Sequence, residues 1–138
     1  MRKTSGAFQA VKRSDGAKTR QTLLDASIAL FAERGFRDTT VADICAAAGA
    51  NVASVNYYFG CKETLYAEAW RQAFEESIQL WPPDGGIAPD ASPEKRLKGY
   101  ITSLLHRVTD PKSRDFDMVR REIAAPTGLL AEVMQRSV

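Results

Sequence analysis

Apolar residues recur at three- and four-residue steps along most of the chain, which is the spacing of an amphipathic helix. The first such run begins near Ala17, where Ser14 or Asp15 is a candidate cap, and ends at Gly35. Six further helices are predicted, over residues 41–48, 52–58, 62–80, 93–109, 114–124 and from 127 to the end. Alternation of polar and apolar residues never exceeds four positions, so the expected fold class is all-α.

The second and third predicted helices are only about two turns long, and the short sequence Gly-Ala-Asn joins them. Two short helices around a glycine-containing turn are typical of a helix-turn-helix. Isolated helices of this length are unstable in water, so packing must hold them in place. The expected core of this unit consists of seven apolar residues: Phe31, Phe36, Ile44, Ala48, Val55, Phe59 and Leu65.

That packing leaves a small and mostly uncharged face of the third helix exposed to solvent. In a DNA major groove, serine bonds to several bases and asparagine pairs with adenine. Hydroxyl groups, a lysine and helix N-termini are suited to phosphate oxygens. The candidate DNA-binding residues are therefore Thr40, Val52, Ala53, Ser54, Asn56, Tyr57, Tyr58 and Lys62. Structural roles are the alternative for several of them. Thr40 could be only a helix cap, Asn56 and Lys62 could be solvated polar groups, and the rings of Tyr57 and Tyr58 could cover the core.

The charge distribution adds weak support for an anionic partner. Residues 1–62 carry nine Lys or Arg against five Asp or Glu, whereas residues 63–138 carry ten against twelve. A locally positive surface favours nucleic acid through counterion release. No apolar run approaches the ~20 residues needed to span a bilayer, and the basic N-terminus has no apolar signal core. The expected location is the cytoplasm, without a membrane partner.

No catalytic or metal-binding constellation is present in the sequence. His106 is the only histidine, and Cys45 and Cys61 lie sixteen positions apart without the spacing of a metal site. The adjacent carboxylates Glu75 and Glu76 point in different directions on a helix, so they are expected to face solvent and not to form a catalytic pair. The chain is therefore expected to have no enzymatic activity, no cofactor and no metal.

The stretch TRQTLLDASIALFAERGFRDTTVADICAAAGANVASVNYYFGCKETLY, Thr19 to Tyr66, resembles the DNA-binding domain of the TetR family of bacterial transcriptional regulators. The resemblance extends over many separate positions, among them Gly35, Thr39, Thr40, Val41, Gly49, Phe59, Lys62 and Leu65. Asn56 stands where a tyrosine is frequent in the family, and this variant is similar to the CecR-like subgroup. VRREIAAPTGLL, Val119 to Leu130, is loosely similar to the C-terminal domain of that subgroup.

The resemblance implies a homodimer whose two recognition helices read the half-sites of a palindromic operator. It also implies a helical C-terminal domain that binds a small molecule and thereby releases the DNA, so the expected function is a bacterial, nucleoid-associated transcriptional repressor. Thr40 and Lys62 then contact phosphates at the starts of the second and fourth helices. Cys61 departs from the family pattern, because cysteine caps a helix poorly.

The expected organisation is a basic flexible arm over residues 1–16, a helix-turn-helix domain over 17–62 and a partial helical regulatory domain over 63–138. Family members usually continue further, so about half of the usual ligand and dimerisation domain is expected, as in a truncated chain. Candidate residues for a ligand pocket are Trp70, Phe74, Tyr100, Leu104 and Met118, although core packing explains them equally well. The alternative function is a protein-interaction module that uses the apolar stripe of the helix over 62–80 and reads no DNA.

Overall fold

The computed structural model describes the backbone of residues 4–137 and the side chains of residues 15–137. This part of the chain is all helical and contains no strand, as the sequence predicted. The seven helices are α1 (Thr4–Arg34), α2 (Val41–Ala48), α3 (Val52–Phe59), α4 (Lys62–Leu80), α5 (Pro93–Thr109), α6 (Arg114–Ala124) and α7 (Leu129–Ser137). Over the described residues, no helix combines the length and the apolar character that crossing a membrane requires.

Helix α1 begins earlier than the sequence predicted. Its 31 residues start at Thr4, so Ser14 and Asp15 lie inside the helix and do not cap it. The expected flexible arm over residues 1–16 is thus helical from Thr4 onward, and residues 1–3 lie outside the described part of the chain. At Gly16, near the predicted start, the Tyr58 hydroxyl approaches α1, 3.2 Å from where a Cβ would stand.

All the helices except α5 contribute apolar side chains to the core. Within it, Phe31 of α1 lies edge-on to Tyr66 of α4, with ring centroids 5.0 Å apart. Met118 of α6 and Leu130 of α7 are buried against the same cluster. The α4 stripe that the alternative function requires is buried as well: Leu65, Tyr66, Ala69, Trp70 and Ala73. That surface is therefore not available to a partner in this fold.

Helix α5 has an unusual position, because its apolar stripe faces solvent. Six large residues on it are 37–60% exposed: Leu97, Tyr100, Ile101, Leu104, Leu105 and Val108. Polar contacts tie α5 to the loop that precedes it and to α6. Ser103 donates a hydrogen bond to the Pro82 carbonyl, and Arg107 forms an ion pair with Asp115 of α6 at 2.8 Å.

The carboxylate of Glu122 joins α4, α6 and α7. One of its oxygens accepts a hydrogen bond from the Tyr66 hydroxyl at 2.9 Å. The other accepts from the Thr127 hydroxyl and from the backbone N–H groups of Thr127 and Gly128, at 2.7–3.0 Å. These bonds hold Thr127 and Gly128 in a turn, which is why α7 starts at Leu129 and not at Thr127 as predicted.

Replacing Glu122 is expected to reveal a pH-dependent contribution to stability. Partial burial favours its neutral form, but the hydrogen bonds from Thr127, Tyr66 and Gly128 outweigh this and lower the pKa of Glu122. A depressed folded-state pKa means that the stabilisation is present above the unfolded-state pKa and is lost as the pH falls through the folded value. We expect Glu122→Gln to cost roughly 1–2 kcal/mol at pH 7 in urea unfolding, with the difference from wild type shrinking toward pH 4.

The matched control for this prediction is Glu132→Gln on α7. Glu132 pairs only with Arg136, at an exposed (i, i+4) site, and such pairs contribute little. Equal losses for the two variants, or a Glu122→Gln deficit that does not depend on pH, would contradict the assigned role.

Candidate nucleic-acid interface

Helix α2 is closed at its N-terminus by a reciprocal cap. The Thr40 hydroxyl accepts a hydrogen bond from the Asp43 backbone N–H at 3.0 Å, and the Asp43 carboxylate accepts one from the Thr40 N–H at 3.2 Å. Hydrogen bonding to the side chain and backbone of Thr40 lowers the pKa of Asp43. Thr40 is exposed, so its position at this helix start is compatible with both capping and contact to a phosphate.

A three-residue turn, Gly49 to Asn51, connects α2 and α3. Gly49 adopts a left-handed conformation, with φ of 65°, which a side chain would disfavour. The Asn51 side chain then caps α3 by accepting from the Ala53 N–H at 3.1 Å. The buried Cys45 thiol donates to the Asn51 carbonyl at 3.6 Å, and burial raises the pKa of that thiol. The angle between the two short helices is thus fixed from both sides of the turn.

Helix α3 divides cleanly into a buried and an exposed face. Val55 and Phe59 are buried, and they join the expected core residues Phe31, Ile44 and Leu65. The predicted outward residues Val52, Ala53, Asn56 and Tyr57 are exposed, and Ser54 is half-buried. The side chains of Ser54 and Asn56 make no hydrogen bond to another residue in the described part of the chain, which leaves their polar groups available to a partner.

The two tyrosines of α3 have different environments. Tyr57 is 82% exposed, the largest exposure among the large apolar side chains of the described residues. Tyr58 is half-buried, lies edge-on to Tyr57 with centroids 4.8 Å apart, and points its hydroxyl toward Gly16 of α1. Tyr57 is therefore the freer of the two to reach a phosphate, while Tyr58 also braces α3 against α1.

Lys62 is the first residue of α4, and its ammonium lies over the Phe36 ring, 4.0 Å from the centroid. Partial burial lowers the pKa of Lys62, with Glu63 acting in the opposite direction. The side chain is thus held in one direction at the helix start. The predicted weakness of Cys61 as a cap is confirmed, because its side chain makes no capping hydrogen bond.

Arg20 is a positioning residue that the sequence reading did not identify. Its guanidinium lies over the Phe59 ring, 4.7 Å from the centroid, and pairs with Glu68 of α4. It therefore connects α1, the end of α3 and α4 at one point. The partners are 39 and 48 positions away in the chain, and no local pattern links residues at such a separation.

The structure does not bring the five candidate ligand residues into one site. Trp70 and Met118 are buried in the core, and Phe74 stacks on Trp70 with centroids 5.0 Å apart. Tyr100 and Leu104 lie on the exposed stripe of α5. As a set of ligand contacts these residues stay a prediction, and the first three already have a packing role.

Helices α2 and α3 have eight residues each, and a three-residue turn joins them. Because α3 buries an apolar face and exposes a small, mostly uncharged one, the pair forms a helix-turn-helix domain. Residues 23–69, from within α1 to the first half of α4, match the family model for bacterial regulatory proteins of the tetR family. This helix-turn-helix region is thus similar to that of TetR-family transcriptional regulators, as the resemblance over Thr19 to Tyr66 predicted.

Two curated relatives share this region, and one solved structure shares the fold. The HTH-type transcriptional dual regulator CecR of Shigella flexneri is 45% identical over 51 residues, which are 37% of this chain and 22% of that protein. The HTH-type transcriptional repressor KstR2 of Rhodococcus jostii is 46% identical over 59 residues, 42% of this chain and 29% of that protein. A TetR-like transcriptional regulator from Rhodococcus sp. RHA1 shares the fold, with 24% identity, a TM-score of 0.65 and coverage of 86% of this chain and 64% of that one. The matched part thus spans less than a third of either curated relative.

Proposed function

We propose that this chain is a sequence-specific DNA-binding transcriptional regulator in which α3 reads the major groove. The observation that carries the proposal is the outer face of α3, where Ala53, Asn56 and Tyr57 are exposed beside a fully buried Val55. Small side chains allow close approach to base edges, and Asn56 supplies the donor and acceptor that adenine recognition needs. Methyl groups of Val52 and Ala53 are suited to the thymine methyl.

Phosphate contacts on both sides of α3 would fix its register in the groove. Thr40 at the start of α2, the Tyr57 hydroxyl and Lys62 at the start of α4 are the groups proposed for this task. The ring of Phe36 supports the case for Lys62, because a cation already held in one direction loses less freedom on binding. Tyr58 contributes through its contact with α1 and, secondarily, through its hydroxyl.

The regulatory part of the proposal rests on the family. We infer a homodimer on a palindromic operator, repression as the usual outcome, and release by a small molecule held among the helices that follow α3. One relative is named a dual regulator and another a repressor, which supports a role in transcriptional control. The place of action is the bacterial cytoplasm, at the nucleoid. The α4 stripe that the alternative protein-interaction module would use is buried in this fold.

Substitutions at Asn56 and Lys62 are expected to change DNA binding in different ways. With a duplex selected from a random pool, Asn56→Ala should relax the preference at one base position, at a cost of about 1–3 kcal/mol. Lys62→Ala should weaken binding to every duplex alike and reduce the slope of log affinity against log salt by about one. Fluorescence anisotropy over a range of KCl concentrations measures both effects.

Lys112→Ala is the matched control, because Lys112 is an exposed lysine in the turn before α6. It should leave affinity and salt slope unchanged. A Lys62→Ala protein with the salt slope of the Lys112→Ala protein would rule out the phosphate contact, and an unchanged base preference in Asn56→Ala would rule out base reading by Asn56.

A further inference from the structure

A cleft of about 600 Å³ that is open to solvent lies between α5 and the loop that precedes it, and we call it the loop–α5 cavity. Its size falls within the range of roughly 300–1,000 Å³ that small-molecule sites occupy. Leu80, Trp81 and Ile87 form its apolar part, and Lys95, Lys98 and His106 of α5 lie along the other wall. Neither the family match over residues 23–69 nor the ligand candidates from the sequence include it.

The walls of the loop–α5 cavity are held together by a close approach of loop and helix. A Cβ on Gly99 would lie 2.5 Å from Ile87 Cγ1, and a Cβ on Gly85 would lie 2.5 Å from the Gly99 carbonyl oxygen. Only glycine at both positions permits this contact. The Ser103 hydroxyl donates to the Pro82 carbonyl and fixes the other end of the loop. The cavity is thus formed before any ligand arrives, which reduces the entropy cost of binding.

The chemistry of the lining favours an anion with an apolar body. Lys95 and Lys98 are three positions apart on α5, so their side chains share one face. No Asp or Glu is among the lining residues. The Trp81 indole stacks on the His106 ring at 4.3 Å, and its N–H donates to Asp110 at 2.7 Å, so the ring is fixed in the wall. An aromatic or similarly flat group fits against this surface, and its acidic group fits the two ammonium groups.

The loop–α5 cavity lies beside the apolar stripe of α5. At 100° per residue, Lys95 and His106 lie on the side of α5 opposite to Tyr100 and Leu104, whereas Lys98 lies at the border of the stripe, near Ile101.

We propose that the loop–α5 cavity binds a small amphipathic anion, of the class of aromatic carboxylates. Lys95 and Lys98 bind the carboxylate, while Leu80, Trp81 and Ile87 contact the apolar body. The proposal deepens the effector part of the proposed function and rests on that function only for its regulatory consequence, because binding itself requires no DNA.

The test compares 2-naphthoate with its neutral analogue 2-naphthamide, using the whole chain without DNA. The two indole N–H signals, from Trp70 in the core and Trp81 at the cavity, are followed by ¹⁵N-labelled NMR. We expect 2-naphthoate to shift the Trp81 signal and not the Trp70 signal, with 2-naphthamide binding more weakly. The double variant Lys95→Gln/Lys98→Gln should lose roughly tenfold in naphthoate affinity and leave naphthamide affinity unchanged.

Lys18→Gln/Arg71→Gln, which removes two exposed cations from α1 and α4, is the control and should bind like wild type. Equal affinity for the two probes, no shift at Trp81, or an unchanged naphthoate affinity in the Lys95→Gln/Lys98→Gln protein would overturn the proposal. A second arm adds the selected duplex. Naphthoate binding without any DNA binding would contradict the proposed function and support the proposed ligand site. DNA binding without a Trp81 shift would support the proposed function and contradict the ligand site.

Discussion

The substitution Ala53→Glu is expected to abolish specific DNA binding without destabilising the fold. Ala53 lies in the first turn of α3 and is exposed, so a glutamate fits there sterically and is favourable near the positive end of the helix. In the major groove the same carboxylate faces phosphates of like charge, which costs several kcal/mol. Affinity measured by anisotropy should fall on the order of a hundredfold or more, while the free energy of unfolding stays within about 0.5 kcal/mol.

Ala131→Glu provides the matched control for Ala53→Glu. Ala131 is also exposed and in the first turn of a short helix, but that helix is α7. The two variants have the same net charge, so a general electrostatic effect would weaken both. If they bind DNA equally well, α3 is not the reading element.

The substitution Asp115→Ala is expected to cause the largest loss of stability, about 3–5 kcal/mol. Asp115 accepts hydrogen bonds from Arg107 at 2.8 Å and from the buried Ser77 hydroxyl, so its carboxylate joins α4, α5 and α6. The side chains of Arg107 and Asp115 are only 11% and 4% exposed. Removing the carboxylate leaves a buried guanidinium whose Nε already lacks a partner among the described residues. Urea unfolding at pH 7 measures the loss.

Asp117→Ala is the control for the buried pair, because Asp117 binds Arg120 at a much more exposed site on the same helix. It should cost less than about 1 kcal/mol. The paired replacement Asp115→Leu/Arg107→Met should recover much of the loss, since it removes both charges together. Equal losses for Asp115→Ala and Asp117→Ala would show that the pair does not hold α5 in place.

Local signals predicted the helix boundaries well at α2 and at the start of α5, where a cap or a breaker stands. The Thr40 cap and Gly49 mark both ends of α2, and Ser92 followed by Pro93 marks the start of α5. The exposed face of α3 was predictable too, because a two-turn helix must bury its apolar residues to exist. The α3 face, the proposed centre of DNA reading, therefore follows from the sequence alone.

Features set by contacts between distant residues were not predictable in this way. The late start of α7 depends on Glu122 binding the turn at Thr127, a contact that no local pattern reveals. The cation over the Phe36 ring is likewise a matter of tertiary geometry. The spacing of apolar residues predicted a stripe on α5, but it did not show that this stripe faces solvent. The expected ligand residues on α5 are therefore exposed, whereas Trp70 and Met118 are buried in the core.

DNA reading by α3 is tested by selecting duplexes from a random pool with this chain, with the Ala53→Glu and Ala131→Glu proteins run in parallel. We expect the wild-type and Ala131→Glu proteins to enrich the same motif, with two inverted half-sites if a dimer binds, and the Ala53→Glu protein to enrich none. Absence of any enriched motif with the wild-type protein at low salt, or enrichment of the same motif by Ala53→Glu, would contradict DNA reading by α3.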